Sequence, residues 1–510
     1  MSNSRFVHPA LRRLDDVRLA IDNPYGVPAT LFAREEVPIE GDAVEQALGV
    51  LAVQQTLETL GVIADGARLR RAVFTPDFHK GGGIPVGTVL EADGFVLPQA
   101  VGSDVNCGMR LVVTDVPAAE LAPRLDALAP ALRAIYFGGG RDVPTSPRQR
   151  EAILRAGMMG LLDAFDDNAD RGLWRTVDRA RAEAELLSST FQGSLPARAT
   201  FAFDDWARGS GRTDGRDAQL GAIGGGNHFV ELQVVDEIVD GAAARALGVE
   251  RDRVAIMVHS GSVGLGHAVG NFFLDEAKRL WPTALKRPEH GFFPLVATGA
   301  QAAVAARYLD AMRNAANFAF ANRFVLGLMA GRALGEVLGR TVDARLVWDA
   351  PHNLVWEPTA ARPAFVHRKG ACPAPGPDPS VVGARAWLGA PVILPGSMGT
   401  SSWLLAGTGA DEALESASHG AGRAIPRGRA RHLDDAPTTE ALSRLRVVTP
   451  IDPDAPMVRR RRDVLAQHEA RLREEAPTAY KDVAPIVDTV AAAGIARPVA
   501  RLRPLLTVKA

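Results

Sequence analysis

The chain has 510 residues, of which 47% are hydrophobic, and its formal net charge is −1. A chain of this length can bury a large core and form one large domain or a few smaller ones. The balanced charge excludes a general electrostatic attraction for nucleic acid, so any RNA must be bound by a local basic patch. Basic runs at 426–432 and 459–462 are candidates for such a patch. The alternative interpretation is that they are solvated helix faces.

Targeting signals are not evident in the sequence. The amino-terminal segment has no apolar stretch after a basic start, which argues against a secretory signal. No uninterrupted apolar stretch approaches the length of a membrane span. The only cysteines are Cys107 and Cys372, so a disulfide framework is excluded. We therefore expect a cytoplasmic protein that has no membrane partner.

Hydrophobic periodicity predicts helices interleaved with short strands. Helical patterns lie near 43–61, 118–135, 150–166, 174–190, 298–337 and 459–475, and strand-like runs lie at 109–114, 253–258, 345–348 and 391–394. Each strand-like run adjoins a segment rich in glycine, histidine or aspartate, which is a common way to place a site on a rigid scaffold.

Glycine- and proline-rich segments at 137–149 and 372–380 are predicted to be loops or connections. Neither separates regions of clearly different composition, so the sequence predicts one domain, 1–510, rather than two. The charged helical block at approximately 118–190 contains no motif. We predict that it is a helical insertion or a lateral subdomain.

Several of the 11 histidines adjoin glycine-rich turns, namely His79, His228, His259, His352 and His419. Glycine lets the chain turn sharply and lets a ligand approach the backbone closely. A metal or phosphate site needs such turns, whereas a structural histidine in a core does not. The pattern therefore favours a site over a set of buried structural histidines.

Asp104 and Cys107 form a D-x-x-C-G segment just before a predicted strand, so a carboxylate and a thiolate can bind one ion. Imidazoles from His228, His259 and His352 would complete mixed ligand sets that suit zinc, cobalt or manganese. Shared ligands would allow two neighbouring metals, an arrangement suited to phosphoryl transfer. A single cysteine or histidine is more often structural. The grouping of these residues on glycine-flanked loops favours the metal site.

Two further glycine-rich segments are similar to phosphate-binding loops. PGSMGTSS at 395–402 and HGAGR at 419–423 expose many backbone N–H groups, although a plain turn is the alternative interpretation. Arg423 adds a cation near His419. A histidine that attacks a phosphate needs such a charge to stabilise the transition state.

Taken in order, the motifs from about residue 74 to the last residues resemble the RtcB family of RNA ligases. They are PDFHKGGGIPVG, DVNCGMRL, GGGNHFVEL, HSGSVGLG, HRKGA, PGSMGT, SHGAGR, AYKDV and the terminal VKA. The resemblance implies an α+β fold with a central cleft that binds metal and GTP. It also implies joining of RNA ends that carry a 2′,3′-cyclic phosphate or 3′-phosphate to 5′-hydroxyl ends, in RNA repair or tRNA splicing.

In that family the cyclic phosphate is opened, GTP guanylylates a histidine, GMP passes to the RNA 3′-phosphate, and the 5′-hydroxyl displaces GMP. The resemblance makes His419 the guanylylated nucleophile. Two manganese ions would be held by Asp104, Cys107, His228, His259 and His352, with Cys107 shared. The GTP contacts would be Asn227, Glu231, Ser397, Ala421, Gly422, Tyr480 and Lys509. Asp77 and His79 would sit at the cleft, and the resemblance allows archease as a protein partner.

The sequence departs from the family pattern at two positions near these motifs. Val263 replaces an arginine that is expected to grip an RNA phosphate, and Pro426 alters the backbone after HGAGR. The nucleophile and the five metal ligands are kept, so we expect GTP and metal binding to be retained while RNA-end specificity stays open. The alternatives are a divergent paralogue with other end specificity, a metal-dependent phosphoesterase, and a non-catalytic GTP- or RNA-binding protein.

Overall fold

A computed structural model describes residues 8–201, 219–381, 383–433 and 435–510. In these ranges the α-helices are α1 (Gly41–Leu51), α2 (Val53–Leu60), α3 (Ala118–Leu121), α4 (Leu125–Tyr136), α5 (Pro147–Asp163), α6 (Arg179–Glu185), α7 (Gly241–Leu247), α8 (Val263–Arg279), α9 (Ala302–Leu338), α10 (Arg385–Leu388), α11 (Arg427–Ala430), α12 (Ala436–Ser443), α13 (Arg462–Glu474) and α14 (Val483–Ala492).

The strands of the same ranges are β1 (Leu11–Arg13), β2 (Arg18–Ile21), β3 (Ala29–Phe32), β4 (Arg68–His79), β5 (Val86–Asp93), β6 (Phe95–Val96), β7 (Gly108–Pro117), β8 (Phe229–Ile238), β9 (Arg253–Ser260), β10 (Leu295–Val296), β11 (Ala344–Pro351), β12 (Asn353–Trp356), β13 (Phe365–Lys369), β14 (Ala371–Pro373), β15 (Pro391–Leu394), β16 (Ser402–Gly407), β17 (Ser416–Ser418), β18 (Val447–Val448) and β19 (Ala496–Val508).

Two large sheets form the frame of the molecule. One has the order β1-β2-β3-β4-β5-β13-β12, in which only the β3–β4 pair is parallel. The other has the order β11-β7-β9-β8-β19-β16-β15, and β18 pairs with β19 in parallel. The remaining two pairs, β6–β10 and β14–β17, are antiparallel. Mainly antiparallel sheets with separate helices confirm the predicted α+β class.

The 37-residue helix α9 runs through the main core, where it packs against α4, α5, α8 and β9. Its sequence is rich in alanine, the best helix former, and most residues between Tyr308 and Leu334 are buried. A helix that is apolar on all sides is stable only when other elements surround it. Four polar residues of this helix, Asn314, Asn317, Asn322 and Arg323, are nevertheless fully buried.

Most of the predicted elements are confirmed. The patterns at 43–61, 118–135, 150–166, 298–337 and 459–475 correspond to α1–α2, α3–α4, α5, α9 and α13, and the four strand-like runs lie in β7, β9, β11 and β15. The pattern at 174–190 is only partly helical, because α6 covers Arg179–Glu185 and short 3₁₀ turns lie on either side.

The two predicted loops are each wrong at one end. Residues 372–373 belong to β14, whose partner strand β17 lies more than forty residues along the chain and supplies the hydrogen bonds. In the other loop, α5 begins at Pro147, and Ser146 forms a capping box with Gln149. Proline at the first helical position is favourable, because its missing N–H would have no partner there.

The helical block at about 118–190 packs on the main core through α4 and α5, which both contact α9. Its buried leucines, such as Leu132 and Leu154, belong to the same core cluster as the helix. The division into a domain and an insertion stays a prediction. Among the helices that the structure describes, none combines the length and the apolar character needed to cross a bilayer.

We expect Phe273→Ala to lower the free energy of unfolding by about 3–5 kcal/mol, because its ring is fully buried and leaves a cavity. The ring packs against Tyr308 of α9 at 5.4 Å between centroids. The neighbouring Phe272, which is 37% exposed, provides the control. Urea unfolding followed by circular dichroism should show a much smaller loss for Phe272→Ala. Equal losses in both variants would contradict the burial of the Phe273 side chain.

Candidate metal centre and active site

The predicted ligands lie at neighbouring ends of four strands of the eight-stranded sheet. β7, β9 and β8 are adjacent and antiparallel, and Met109 and Phe229 both lie opposite His259. Cys107 immediately precedes β7 and His228 immediately precedes β8, so both lie at the end of β9 that carries His259. His352 follows β11, which pairs with β7 so that Pro351 lies opposite Gly108. The register of the sheet therefore gathers ligands that are far apart in sequence.

The five side chains form two overlapping sets. Cys107 Sγ lies 3.1 Å from His228 Nε2 and 3.2 Å from His259 Nε2. His259 Nε2 lies 3.3 Å from His352 Nε2, and His228 Nε2 lies 2.7 Å from a carboxylate oxygen of Asp104. One set is Cys107, His259 and His352, and the other is Asp104, Cys107 and His228, with ligand atoms within 4.8 Å of one another in each. Cys107 belongs to both sets.

The imidazoles and the Asp104 carboxylate are in protonation states that fit divalent metal ions. By contrast, burial and then the nearby Asp104 charge raise the pKa of the Cys107 thiol, so a metal that binds there must displace its proton. Burial lowers the pKa of His259 and of His352 well below the usual value, so both imidazoles are neutral and keep a lone pair. Burial acts to raise the pKa of Asp104, but His228, Cys107 and Arg323 together lower it below its usual value, so this carboxyl is ionised. Its Oδ1 atom is buried and has no hydrogen-bond partner among the described residues. Imidazole, carboxylate and thiol donors suit zinc, cobalt or manganese.

His419 follows β17 and is held by Asp77 of β4. The carboxylate oxygen Oδ2 of Asp77 accepts from His419 Nδ1 at 2.5 Å and from the His419 backbone N–H at 3.1 Å. Oδ1 of Asp77 accepts from the Thr75 hydroxyl at 2.5 Å. Because a carboxylate can only accept, Nδ1 carries a proton, and in the neutral ring the lone pair therefore lies on Nε2. The His419 ring lies 4.8 Å from the His352 ring, next to the metal-type cluster.

The Asp77 carboxylate is stabilised in its ionised form. Burial acts to raise its pKa, but the His419 ring and then the Thr75 hydroxyl lower it by more, so the pKa lies below its usual value. The adjacent His79 ring donates from Nδ1 to the Asp77 backbone oxygen at 2.7 Å. Burial lowers the pKa of His79 to about 3, so this imidazole is neutral. Sequence reasoning assigned no role to either residue.

A cavity of about 500 Å³ opens in front of this arrangement. It is lined by four of the predicted metal ligands, by His419, and by six of the seven predicted nucleotide contacts: Asn227, Ser397, Ala421, Gly422, Tyr480 and Lys509. Glu231 is not among the lining residues. Its carboxylate accepts hydrogen bonds from Thr507 and Gln233, and burial raises its pKa to about 7.

Glycine is required where the loops approach His419. Gly422 has a φ of +74°, and a Cβ there would lie 2.4 Å from the backbone oxygen of Asp77. Gly370 has a φ of +65°, and a Cβ there would meet His419 Cε1 at 3.2 Å and Val86 at 2.1 Å. Only glycine adopts these conformations freely and leaves this space. The glycines of the HGAGR and HRKGA motifs therefore allow the backbone to pack around His419 and Asp77.

The penultimate residue of the sequence, Lys509, lines the cavity. Lys509 Nζ donates to the backbone oxygen of Gly226 at 2.9 Å and lies 3.5 Å from the buried carboxylate of Glu475. The hydroxyl of Tyr480 also donates to Glu475. Burial lowers the pKa of Lys509, an effect that Glu475 partly offsets. Sequence reasoning missed Glu475, although it stands just before the AYKDV motif.

Arg423 lines the same cavity as His419, and its expected role as a cation for the phosphate stays a prediction. Its guanidinium pairs with Glu475 at 3.1 Å and lies over the Tyr480 ring at 4.8 Å from the centroid. The same carboxylate also pairs with Arg427 and Lys509, so Glu475 offsets only part of the positive charge that Arg423 brings to the cavity.

The positions that depart from the family pattern lie in different environments. Val263 begins α8 with a φ of +49°, which is unusual for a β-branched residue, and it packs against the main core. Pro426 lines the cavity and precedes the short helix α11, where its missing N–H has no cost.

Lys369 of the HRKGA motif also lines the cavity and has no carboxylate partner in the part of the chain that the structure describes.

The α+β fold and the buried thiol, carboxylate and imidazole groups beside a cavity are compatible with a metal-binding enzyme. Residues 63–510 match the family described as tRNA-splicing ligase RtcB. The chain is therefore a member of the RtcB family, as its motifs predicted.

Individual relatives match along nearly their whole length. The chain is 31% identical to the tRNA-splicing ligase RtcB of Pyrobaculum aerophilum, over 96% of this chain and 98% of that protein. It is 32% identical to the tRNA-splicing ligase RtcB of Archaeoglobus fulgidus, over 98% of both chains. It is 33% identical to the RNA-splicing ligase RtcB of Mycobacterium tuberculosis, over 86% of this chain and 97% of that protein.

The two cysteines of the chain offer a matched test of the metal centre. We expect the protein to bind Co(II) with a thiolate-to-cobalt charge-transfer band, because Cys107 lies among the histidines. Cys107→Ala should abolish this band. Cys372→Ala should keep it, because the equally buried Cys372 lies in neither ligand set. Absorption titrations with cobalt measure both variants, and a band that persists in Cys107→Ala would contradict the assignment.

Proposed function

We propose that this protein is an RNA ligase that joins RNA 2′,3′-cyclic phosphate or 3′-phosphate ends to 5′-hydroxyl ends through a histidyl-GMP intermediate. The observation that supports this most is the position of His419, whose Nδ1 is bound by Asp77 and whose ring lies against His352. The nucleophile thus borders both the metal-type cluster and the cavity. The full-length similarity to proteins named tRNA-splicing ligase supports RNA as the substrate, in tRNA splicing or repair.

His419 reacts through Nε2, because its Nδ1–H group donates a hydrogen bond to Asp77. Attack of Nε2 on the α-phosphorus of GTP forms a P–N bond, breaks the α–β phosphoanhydride bond and releases pyrophosphate. Asp77 fixes the tautomer and the orientation of the ring, and its negative charge stabilises the positive charge that the ring acquires. A neutral imidazole held in this way is a good nucleophile at physiological pH.

Two manganese ions fit the two ligand sets. Cys107, His259 and His352 would hold one ion, and Asp104, Cys107 and His228 would hold the other. Bound there, the metals would neutralise charge on the phosphate oxygens during transfer. The donor set also accepts zinc or cobalt, and the choice of manganese rests on the family resemblance.

The nucleotide occupies the cavity in front of His419. Asn227, Ser397, Ala421 and Gly422 surround the GMP moiety near the nucleophile, while Tyr480 and Lys509 hold guanine at the other end. A cavity of about 500 Å³ is in the usual range for a bound ligand of this size. The proposed contact between Glu231 and the nucleotide requires a local movement, because Glu231 is buried and does not line the cavity.

The RNA 3′-phosphate then takes GMP from His419, and the 5′-hydroxyl attacks the activated phosphate, so that GMP leaves and a phosphodiester forms. With valine at position 263, Lys369 is a lining cation that can bind the RNA phosphate. Archease as a partner and a cytoplasmic location remain proposals that rest on the resemblance and the composition.

Incubation with α-labelled GTP and manganese tests the intermediate. We expect covalent, acid-labile label on the wild-type chain and none on His419→Ala. Asp77→Asn should slow labelling by roughly 10²–10⁴-fold, because the amide stabilises the wrong tautomer. His432→Ala is the control, since this exposed histidine lies outside the cavity. Phosphate-ester hydrolysis that survives in His419→Ala, in a protein that is never labelled, would favour the phosphoesterase instead.

The binding of RNA ends should depend on pH through Lys369. Burial lowers the pKa of Lys369 to about 8, so its ammonium is charged below pH 8 and loses its charge as the pH rises through this value. At pH 9 about one molecule in ten stays protonated, so affinity for a 3′-phosphate RNA should fall by up to about tenfold between pH 7 and pH 9. Lys369→Arg should keep the affinity at pH 9.

Fluorescence anisotropy with 3′-phosphate and 3′-hydroxyl forms of one oligonucleotide measures this dependence. Lys278→Arg, an exposed lysine paired with Asp275, is the control. The same pH dependence in Lys369→Arg as in the wild type would contradict the assignment of Lys369 to the RNA phosphate.

A further inference from the structure

Two adjacent polar residues in the middle of α9, Asn322 and Arg323, are fully buried. Their hydrogen-bond partners lie on the loops and strand ends that carry the five metal ligands proposed above. None of the sequence motifs contains either residue.

Arg323 binds three of these segments with one guanidinium. Nη1 donates to the backbone oxygens of Asn106 at 2.6 Å and Ser260 at 3.1 Å. Nε donates to the carboxylate of Asp349 at 2.9 Å. Asn106 immediately precedes Cys107, Ser260 immediately follows His259, and Asp349 lies three residues before His352 in the same strand end. One planar group therefore fixes the relative positions of the three residues that form one ligand set.

Asn322 extends the same arrangement to the loop before His228. Its side-chain oxygen accepts from the backbone N–H of Gly221 at 2.7 Å. Its amide group donates to the backbone oxygens of Ala222 at 3.0 Å and Gly261 at 3.2 Å. The loop that leads to His228 is thus tied to the residues that follow His259.

A buried guanidinium is costly unless its charge and its donors are satisfied, and an apolar side chain of similar size would fill the core of α9 at lower cost. The five donors of arginine in a rigid plane can hold several acceptors at fixed spacing, which lysine cannot do. The helix that carries the guanidinium is buried on most sides and therefore provides a rigid support. Groups that orient metal ligands commonly change metal affinity by 10–100-fold when they are altered.

We propose that Arg323, together with Asn322, positions the metal ligands, so that the long helix sets the spacing of Cys107, His228, His259 and His352. This inference rests on the proposed metal centre. Neither residue touches the metals or the substrate, so both are positioning residues rather than catalytic residues.

Arg323→Lys is the main test, because it keeps a cation opposite Asp349 but cannot hold Asn106 and Ser260 in the same plane. The control is Arg313→Lys in the same helix, since Arg313 pairs with Glu357, which is not one of the ligands. Co(II) is the probe. Three quantities are measured for each protein: cobalt affinity, the charge-transfer spectrum from Cys107, and the melting temperature without metal.

We expect Arg323→Lys to bind cobalt about 10–100-fold more weakly with an altered charge-transfer spectrum, while Arg313→Lys matches the wild type. A folded Arg323→Lys protein with wild-type affinity and spectrum would overturn the proposal. If that variant does not fold, two other variants decide by the same measurements, and the first is Asn106→Gly. Glycine suits the φ of +53° at this position and removes the side-chain oxygen that accepts from Arg323 at 3.0 Å.

The second variant, Asn322→Ala, removes the bonds to Gly221, Ala222 and Gly261. Weaker cobalt binding in Asn106→Gly or in Asn322→Ala supports the proposal, and unchanged binding in both overturns it. Failure of the wild-type protein to bind cobalt is a different result, because it rejects the metal centre itself.

Discussion

The buried ion pair between Arg323 and Asp349 is the interaction on which the geometry of the site depends. Its atoms are 2.7 Å apart, and the two side chains are at most 1% exposed. Removal of one partner from such a pair costs roughly 3–5 kcal/mol, because the remaining charge is left buried without compensation. The guanidinium of Arg323, which Asp349 stabilises, also donates hydrogen bonds to the backbone beside Cys107 and His259. The integrity of the core and the arrangement of the ligands therefore depend on one contact.

The site is assembled from both large sheets. The eight-stranded sheet contributes the cluster of thiol, carboxylate and imidazoles, whereas Asp77, which orients His419, belongs to β4 of the seven-stranded sheet. Lys509 follows the last strand and lines the cavity. Because the proposed metal ligands belong to one sheet and the residue that orients His419 belongs to the other, the packing of the two sheets sets the distance between the cluster and the His419 ring.

The charges around the cavity are distributed unevenly. At the end formed by Tyr480, the cations Arg423 and Lys509 are paired with Glu475. Near the cluster, Lys369 has no carboxylate partner among the described residues, and Val263 supplies no charge at all. Glu475 also pairs with Arg427, so one carboxylate faces three cations and the charge beside Tyr480 is positive as well.

The sequence by itself determined most helices and strands and the residue types of the site, because periodicity and glycine-flanked motifs are local properties of the chain. The α+β class, by contrast, followed from the resemblance of its motifs to the RtcB family. The sequence also indicated that Asp104, Cys107 and three histidines belong together, and the structure does bring them together. Only the tertiary structure decided that residues 372–373 form a strand, that Arg423 forms an ion pair with Glu475, and that Arg323 donates a hydrogen bond to Asn106. These contacts join residues up to 217 positions apart, and a local pattern carries no information about which distant partner a side chain meets.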